Sequence, residues 1–181
     1  MQELKLYSVS DKYIEYLRDA VPEVYSNKIN ERKHTRKYLG VALMINNYCY
    51  YIPLSSPKSN DYITVDGEQK IRKSIVPIIR ITAVDSDNVL RLKGTLRISN
   101  MIPVPESELE LYDVDSETDL KYKDLISNEI IFIRKNRERI ISNARLIYKQ
   151  KSLGDETASY LKATLNFKNL EHLCDSFIAQ F

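Results

Sequence analysis

Five consecutive residues, Leu54-Ser55-Ser56-Pro57-Lys58, place two hydroxyls and an ammonium around a proline where an aromatic run (Tyr48, Tyr50, Tyr51) gives way to polar residues. Hydroxyl and ammonium donors held by a rigid turn suit the gripping of a phosphate, since they supply hydrogen bonds and positive charge without a metal. The same residues suit an ordinary turn at a strand end, so the reading needs support from the rest of the chain. Ser56 and Lys58 do not form a serine–lysine hydrolase pair. That chemistry puts the lysine one helical turn after the serine, and a spacing of two across Pro57 cannot bring both onto one helix face. His34 and His172 are the only histidines, and nothing has metal-ligand spacing. No two of the four glycines stand close enough for a phosphate-binding loop or a dinucleotide fingerprint.

RNA cleavage asks less of a protein, because the substrate carries its own nucleophile in the 2′-hydroxyl beside the scissile phosphate. The protein must align that hydroxyl, offset charge on the phosphoryl oxygens and help proton transfer; lysine, arginine and serine can do the second, and tyrosine can stack a base. Thirteen tyrosines and no tryptophan make stacking easy to arrange, although most of them are expected in the core or on strand surfaces.

The net charge of +2 conceals a segregated pattern. Lys28, Arg32, Lys33, Arg36 and Lys37 stand against Glu31 alone, whereas Glu106 to Asp119 holds seven acids and no base. Bases return from Lys121 to Lys151, with Arg134, Lys135, Arg137 and Arg139 among them, outnumbering Asp124, Glu129 and Glu138. Such basic segments either cover solvated faces or attract a polyanion.

The elements that must position these groups read as α+β. Ser10 is an N-cap for a short helix through Asp11 to Leu17 that ends near Pro22. Tyr38 to Ile45 and Tyr48 to Leu54 form a hairpin around Asn46-Asn47. Further strands cover Ser74–Ala83, Val89–Ile98, Met101–Val104 and Leu109–Val114, with Asp85-Ser86-Asp87-Asn88 as a turn, giving a meandering, mostly antiparallel sheet. After Asp119 the apolar residues Tyr122, Leu125, Ile126, Ile130, Ile133, Ile140, Ile141, Ala144 and Tyr148 keep helical spacing, so one long helix is expected, interrupted, if anywhere, near Ser142-Asn143. A last helix runs from about Lys168 to Ala179, burying Phe167, Leu170, Leu173, Cys174, Phe177 and Ile178. With 43% hydrophobic residues and no linker, residues 1–181 are expected to form one compact domain. No run approaches the roughly 20 apolar residues of a membrane span, the start lacks a signal-peptide layout, and Cys49 and Cys174 read as buried free thiols, so a cytoplasmic protein is expected.

Several segments together resemble the ToxN/AbiQ family of toxins from type III toxin–antitoxin and abortive-infection systems. They are Leu6-Tyr7-Ser8-Val9-Ser10-Asp11-Lys12-Tyr13-Ile14 with Tyr16-Leu17, Arg36-Lys37-Tyr38-Leu39-Gly40-Val41, Tyr51-Ile52-Pro53-Leu54-Ser55-Ser56-Pro57-Lys58, Asn100-Met101-Ile102-Pro103-Val104-Pro105-Glu106, Phe132-Ile133-Arg134, and Asn166-Phe167 with Leu170-Glu171. Each is weak alone; in family order over nearly the whole chain they are specific. The resemblance implies a metal-independent endoribonuclease, needing no cofactor, that leaves a 2′,3′-cyclic phosphate. It implies a twisted antiparallel sheet flanked by helices, similar to the Kid and MazF toxins. It also implies a small repetitive RNA antitoxin, folded into pseudoknots that the toxin processes and that inhibit it in a closed protein–RNA assembly, with cellular or phage transcripts as the other substrate.

By the same resemblance Ser56 matches the key active-site serine, Lys58 a lysine that offsets phosphoryl charge, Ser55 a position often held by threonine, and Arg36 a lysine or arginine position. Tyr13 matches a tyrosine near the site, with packing of the first helix on the sheet as the other reading. RNA binding is expected from Arg32 and Lys33 in the basic loop and from Asn128, Phe132, Lys135 and Arg139, which recur on the long helix away from its apolar stripe. A non-catalytic RNA-binding module and a DNA- or protein-binding domain are the alternatives, and no residue is identified as the general base.

Overall fold

A computed structural model describes residues 4–27, 33–155 and 157–180. In chain order the elements are β1 (Lys5–Val9), α1 (Asp11–Ala20), β2 (Lys37–Ile45), β3 (Tyr48–Ser55), β4 (Tyr62–Val65), β5 (Glu68–Ile71), β6 (Ile78–Val84), β7 (Leu90–Arg97), β8 (Ile102–Pro103), β9 (Leu109–Leu111), α2 (Leu120–Lys135), α3 (Arg137–Ser152) and α4 (Phe167–Gln180). The main sheet has the order β6-β7-β3-β2-β1-β9, with β8 also paired to β3, and its ladders are antiparallel.

Local chemistry explains most of these boundaries. Asn46 and Asn47 take left-handed backbone (φ 48° and 69°) and close the two-residue hairpin between β2 and β3, the geometry whose twist matches that of the strands. Ser10 caps α1, its hydroxyl accepting the Tyr13 N–H at 3.2 Å and donating to the Glu108 carboxylate. Asp119 caps α2, accepting the N–H groups of Lys121 and Tyr122. Asp66 and Gly67, both at positive φ, turn β4 into β5, a separate and largely exposed hairpin absent from the strands expected above.

The expected long helix is two helices, and the break falls at Asn136 rather than near Ser142-Asn143. Asn136 ends α2 by donating its backbone N–H to Phe132 and Ile133 carbonyls and its side-chain amide to Phe132 O at 2.9 Å, while its own carbonyl accepts the Ile140 N–H that starts α3. One residue thus satisfies both helix ends, and the apolar stripe continues with little change of phase.

The core joins Tyr13, Ile14 and Leu17 of α1 to Tyr38, Leu39, Tyr50 and Ile52 of the sheet, Ile140, Ala144 and Ile147 of α3, and Phe167, Leu170 and Phe177 of α4. Ile178, expected inside, is 58% exposed, and Glu171 takes a buried place on that helix. The Glu171 carboxylate is a junction: it accepts the hydroxyls of Tyr50 (2.9 Å) and Tyr148 (2.6 Å) and pairs with Lys168 at 2.9 Å, tying β3, α3 and α4 together. Cys174 is buried and Cys49 half-buried, and both are free thiols. Among the described residues no helix is long and apolar enough to cross a membrane.

Glu171→Ala would leave two tyrosine hydroxyls without their acceptor and Lys168 with the Tyr148 hydroxyl but no carboxylate. It is expected to cost about 2–4 kcal/mol, read as a lower urea midpoint with an unchanged slope. A midpoint within about 0.5 kcal/mol of the parent would show that the junction contributes little.

Candidate functional site

Strand β3 carries the Ser55-Ser56-Pro57-Lys58 turn out of the sheet, and five buried side chains fix where it goes. Arg36, which precedes β2, donates from Nη1 to Leu54 O (2.7 Å) and from Nε to Ser26 O (3.1 Å), with its guanidinium 4.7 Å over the Tyr25 ring. Thr95 of β7 lies opposite Ser55, and its hydroxyl donates to Ser55 O at 3.3 Å. Arg97 donates from Nε to the Thr95 hydroxyl (3.0 Å) and from Nη2 to Asp61 Oδ2 (3.2 Å). The same Asp61 oxygen accepts the Lys58 backbone N–H at 3.0 Å, the Asp61 N–H donates to Lys58 O at 2.9 Å, and Oδ1 pairs with Arg80 of β6 at 3.1 Å. Asp61 is fully buried, and Arg80 and Arg97 nearly so. One carboxylate therefore locks the far end of the turn to two strands.

Two clefts flank this turn. The first, about 290 Å³, is lined by Ser55, Ser56, Arg36, Lys37, Lys93 and by Glu129 of α2, with His34 and Tyr122 at one wall. His34 stacks on Tyr122 with ring centroids 3.7 Å apart and planes within 3°. The second, about 390 Å³, is lined by Ser55, Arg36 and Lys58 with Tyr25 and Arg18. Ser56 is exposed at the first and Lys58 at the second, and Arg36 and Ser55 border both. The turn thus gathers Ser56, Ser55, Arg36 and Lys58 as expected, but Ser55 and Arg36 are themselves buried, so their contribution passes through the turn as much as through direct contact.

Tyr13 is not brought to these clefts. Its side chain is wholly buried, its hydroxyl donates to Pro103 O at 2.7 Å, and its ring meets Phe177 edge-on at 4.9 Å. Burial raises its hydroxyl pKa far above the ordinary tyrosine value, with Cys174 adding to the shift. The packing reading of Tyr13 is the one the geometry supports.

The expected RNA-binding residues divide in the same way. Arg32 lies outside the described residues. Lys33 borders the first cleft and pairs with Asp119, a contact that raises the lysine pKa and lowers that of the carboxyl. The acidic segment thus lies against the basic loop. Asn128 donates to Asp124 O at 2.9 Å and lines a separate notch with Asp85 and Asp124, Phe132 packs against the core, and exposed Lys135 and Arg139 fall on different helices. The α2 face that lines the serine cleft is the one bearing Tyr122, Leu125, Ile126 and Glu129.

Sequence reasoning missed Asp61, Thr95, Arg80, Arg97 and Glu129. The first four are joined across long separations and leave no local signature. Glu129 did leave one: it occupies a position of the apolar stripe, three residues after Ile126 and four before Ile133. It is 5% exposed, and among the described residues no hydrogen bond or ion pair engages its carboxyl. Burial pushes its pKa up to about 8. Gly94 of β7 makes room for it, since a Cβ there would overlap Glu129 Oε1.

A cleft that combines cationic side chains, serine hydroxyls and an aromatic wall fits a phosphate-bearing ligand with a stackable base, which is the chemistry of a nucleic-acid-handling protein. Among the described residues no three His, Cys, Asp or Glu side chains are gathered as a metal would need. The sequence model of one family, Toxin ToxN of type III toxin–antitoxin systems, matches residues 5–175, and the chain belongs to that family. The endoribonuclease ToxN of Bacillus thuringiensis subsp. kurstaki is 30% identical over 179 residues, covering 96% of this chain and 84% of that protein. The endoribonuclease AbiQ of Lactococcus lactis subsp. lactis is 30% identical over 168 residues, covering 93% and 86%. A solved type III system, in which a non-coding RNA pseudoknot selectively inhibits the toxin, has a TM-score of 0.78 at 27% identity, over 97% of this chain and 98% of that one.

Asp61→Ala would strand two buried guanidiniums and is expected to destabilise the fold by about 3–5 kcal/mol, measured by urea unfolding; a loss below about 1 kcal/mol would show that the turn is held otherwise. Glu129 gives a pH dependence. Between the ordinary glutamate value of 4.5 and about 8, the native protein keeps a proton that the unfolded chain has released, so stability falls as pH rises across that window. Parent protein should lose on the order of 3 kcal/mol between pH 5 and pH 8 relative to Glu129→Gln, and parallel stability curves for the two would contradict the burial of an ionisable acid.

Proposed function

We propose that this chain, an endoribonuclease toxin of a type III toxin–antitoxin system, cuts RNA at the Ser56 cleft without a metal. The 2′-hydroxyl beside the scissile phosphate attacks phosphorus and leaves a 2′,3′-cyclic phosphate. The observation that carries this is the exposure of Ser56 on a cationic cleft, on a turn fixed from below by Asp61, in a member of the ToxN family. Ser56 contacts the scissile phosphate or aligns the attacking hydroxyl, Arg36 offsets phosphoryl charge, Lys58 adds to that charge from the neighbouring cleft across the turn, and Ser55 holds the turn. Tyr122 and His34 supply the stacking wall that the first helix's Tyr13 does not.

The partner is a small repetitive RNA whose pseudoknots the toxin processes and is inhibited by, within a closed protein–RNA assembly. Support comes from two solved systems: one in which an RNA pseudoknot inhibits the toxin, and one, at TM-score 0.76 and 26% identity over 93% of this chain and 95% of that one, in which a processed non-coding RNA regulates an antiviral system. Freed toxin cuts cellular or phage transcripts in the cytoplasm. Lys33 at the rim of the first cleft, with Arg32, Lys135 and Arg139 as further cations and Asn128 and Phe132 on α2, are the residues proposed to bind RNA. The chain acts as one domain, its sheet akin to those of the Kid and MazF toxins.

In the presence of excess chelator the parent protein is expected to cut RNA at its full rate. Ser56→Ala should keep its melting temperature and cut at least about 100-fold more slowly. Undiminished cutting by Ser56→Ala removes that residue from the site, chelator sensitivity removes the metal-free mechanism, and RNA that is bound but never cut by parent protein leaves a binding module.

A further inference from the structure

The proposed cleavage leaves one requirement open: the 5′-oxygen must depart with a proton, and a donor that titrates nearer neutrality than a serine or an ordinary lysine suits that step best. We infer that Glu129 is that donor, a neutral carboxylic acid aimed into the Ser56 cleft from α2. The inference rests on the RNA-cleaving reading above and deepens it.

Three observations place Glu129 in this role. Its side chain borders the same cleft as Ser55 and Ser56, so a phosphodiester seated against the serines lies beside it. Its side chain is 5% exposed and its carboxyl is engaged by no hydrogen bond or ion pair among the described residues, a costly arrangement in a stripe whose other members are apolar. β7 is cut back to glycine at residue 94, where any side chain would displace Oε1, and the Ser55 carbonyl approaches the same point, 3.3 Å from a Cβ built there. The acid is thus accommodated by the sheet rather than neutralised by it.

The charged groups around it are committed elsewhere. Lys93 of β7 pairs with Asp85, and Arg80 of β6 with Asp61. Lys37 of β2 donates to the hydroxyls of Ser8 and Thr35, and Arg36 to the Leu54 and Ser26 carbonyls. His34 and Lys33 face Asp119, and Tyr122 stacks on His34. Burial holds the Glu129 proton up to about pH 8, so the acid form prevails at neutral pH.

In the step itself O2′ bonds to phosphorus and the P–O5′ bond breaks with its electron pair on O5′. The Glu129 carboxyl proton moves to O5′, giving the 5′-hydroxyl product. The 2′-hydroxyl proton passes to solvent water, and the Glu129 carboxylate takes a proton back from water once the product leaves.

The test uses two RNAs that differ at one atom, the bridging 5′-oxygen or a 5′-sulfur, since a thiolate departs without a proton. Glu129→Gln is expected to lose about 100- to 1000-fold in kcat/KM on the oxygen substrate and to stay within a few-fold of parent on the sulfur one. Parent kcat/KM on the oxygen substrate should rise with pH and level off near 8, whereas on the sulfur substrate it should keep rising. The parent profiles need no variant and decide the matter if Glu129→Gln fails to fold. Equal losses on both substrates, no loss on either, or a levelling that persists in Glu129→Gln and so belongs to Lys37, would overturn the assignment while leaving the nuclease in place. Failure of parent protein to cut the oxygen substrate would instead overturn the nuclease reading.

Discussion

Asp61 is the constraint on which the site depends. A lone buried carboxylate with two buried arginines is a costly arrangement, worth keeping only when every partner is well placed. Here Asp61 meets Arg80 from β6, Arg97 from β7 and the backbone of Lys58, so the two strands and the turn cannot move independently. The Ser56 hydroxyl is therefore presented on a backbone fixed before any ligand arrives, which spares the entropy of ordering a loop around a phosphate. Two guanidiniums against one carboxylate, with Arg36 close by, also leave the surroundings of the turn net positive, which favours a phosphodiester there.

The walls of the cleft come from distant parts of the chain. β3 brings the serines, β7 the glycine gap at 94 and Lys93, and α2 its inward face. Asp119 serves twice, capping α2 through Lys121 and Tyr122 and anchoring Lys33 and His34 at the rim. The acidic segment ending at Asp119 thus shapes the basic rim instead of lying apart from it, and the cationic surface is narrower than a count of lysines suggests. A family match over residues 5–175 spans every one of these elements.

Features set by neighbours in sequence were legible there. Ser10 as a cap, Asn46-Asn47 as a hairpin and Asp85 to Asn88 as a turn each depend on a side chain or backbone preference acting within a few residues. The Asp66-Gly67 turn carries a similar signal, but the strands it joins have only four residues each and β5 is mostly polar. The helix break was misplaced because Asn136 ends one helix and begins the next without disturbing the apolar stripe. Of the site, Ser56, Lys58 and their turn were readable, whereas Asp61–Arg80–Arg97 was not, since it arises only when two strands fold beside the turn. Tyr13 shows the converse: a tyrosine matched by resemblance to a site proved to be packing, its hydroxyl spent on a backbone carbonyl.

In the proposed reaction the protein contributes charge, donors and a proton, and the nucleophile belongs to the RNA. The most direct measurement replaces the single ribose 5′ to the mapped cut with 2′-deoxyribose in an otherwise unchanged RNA. That substrate should bind as tightly as its parent and resist cutting at the altered linkage altogether. Cleavage there at a comparable rate would mean that another nucleophile attacks, and the roles given to the Ser56 cleft would have to be abandoned.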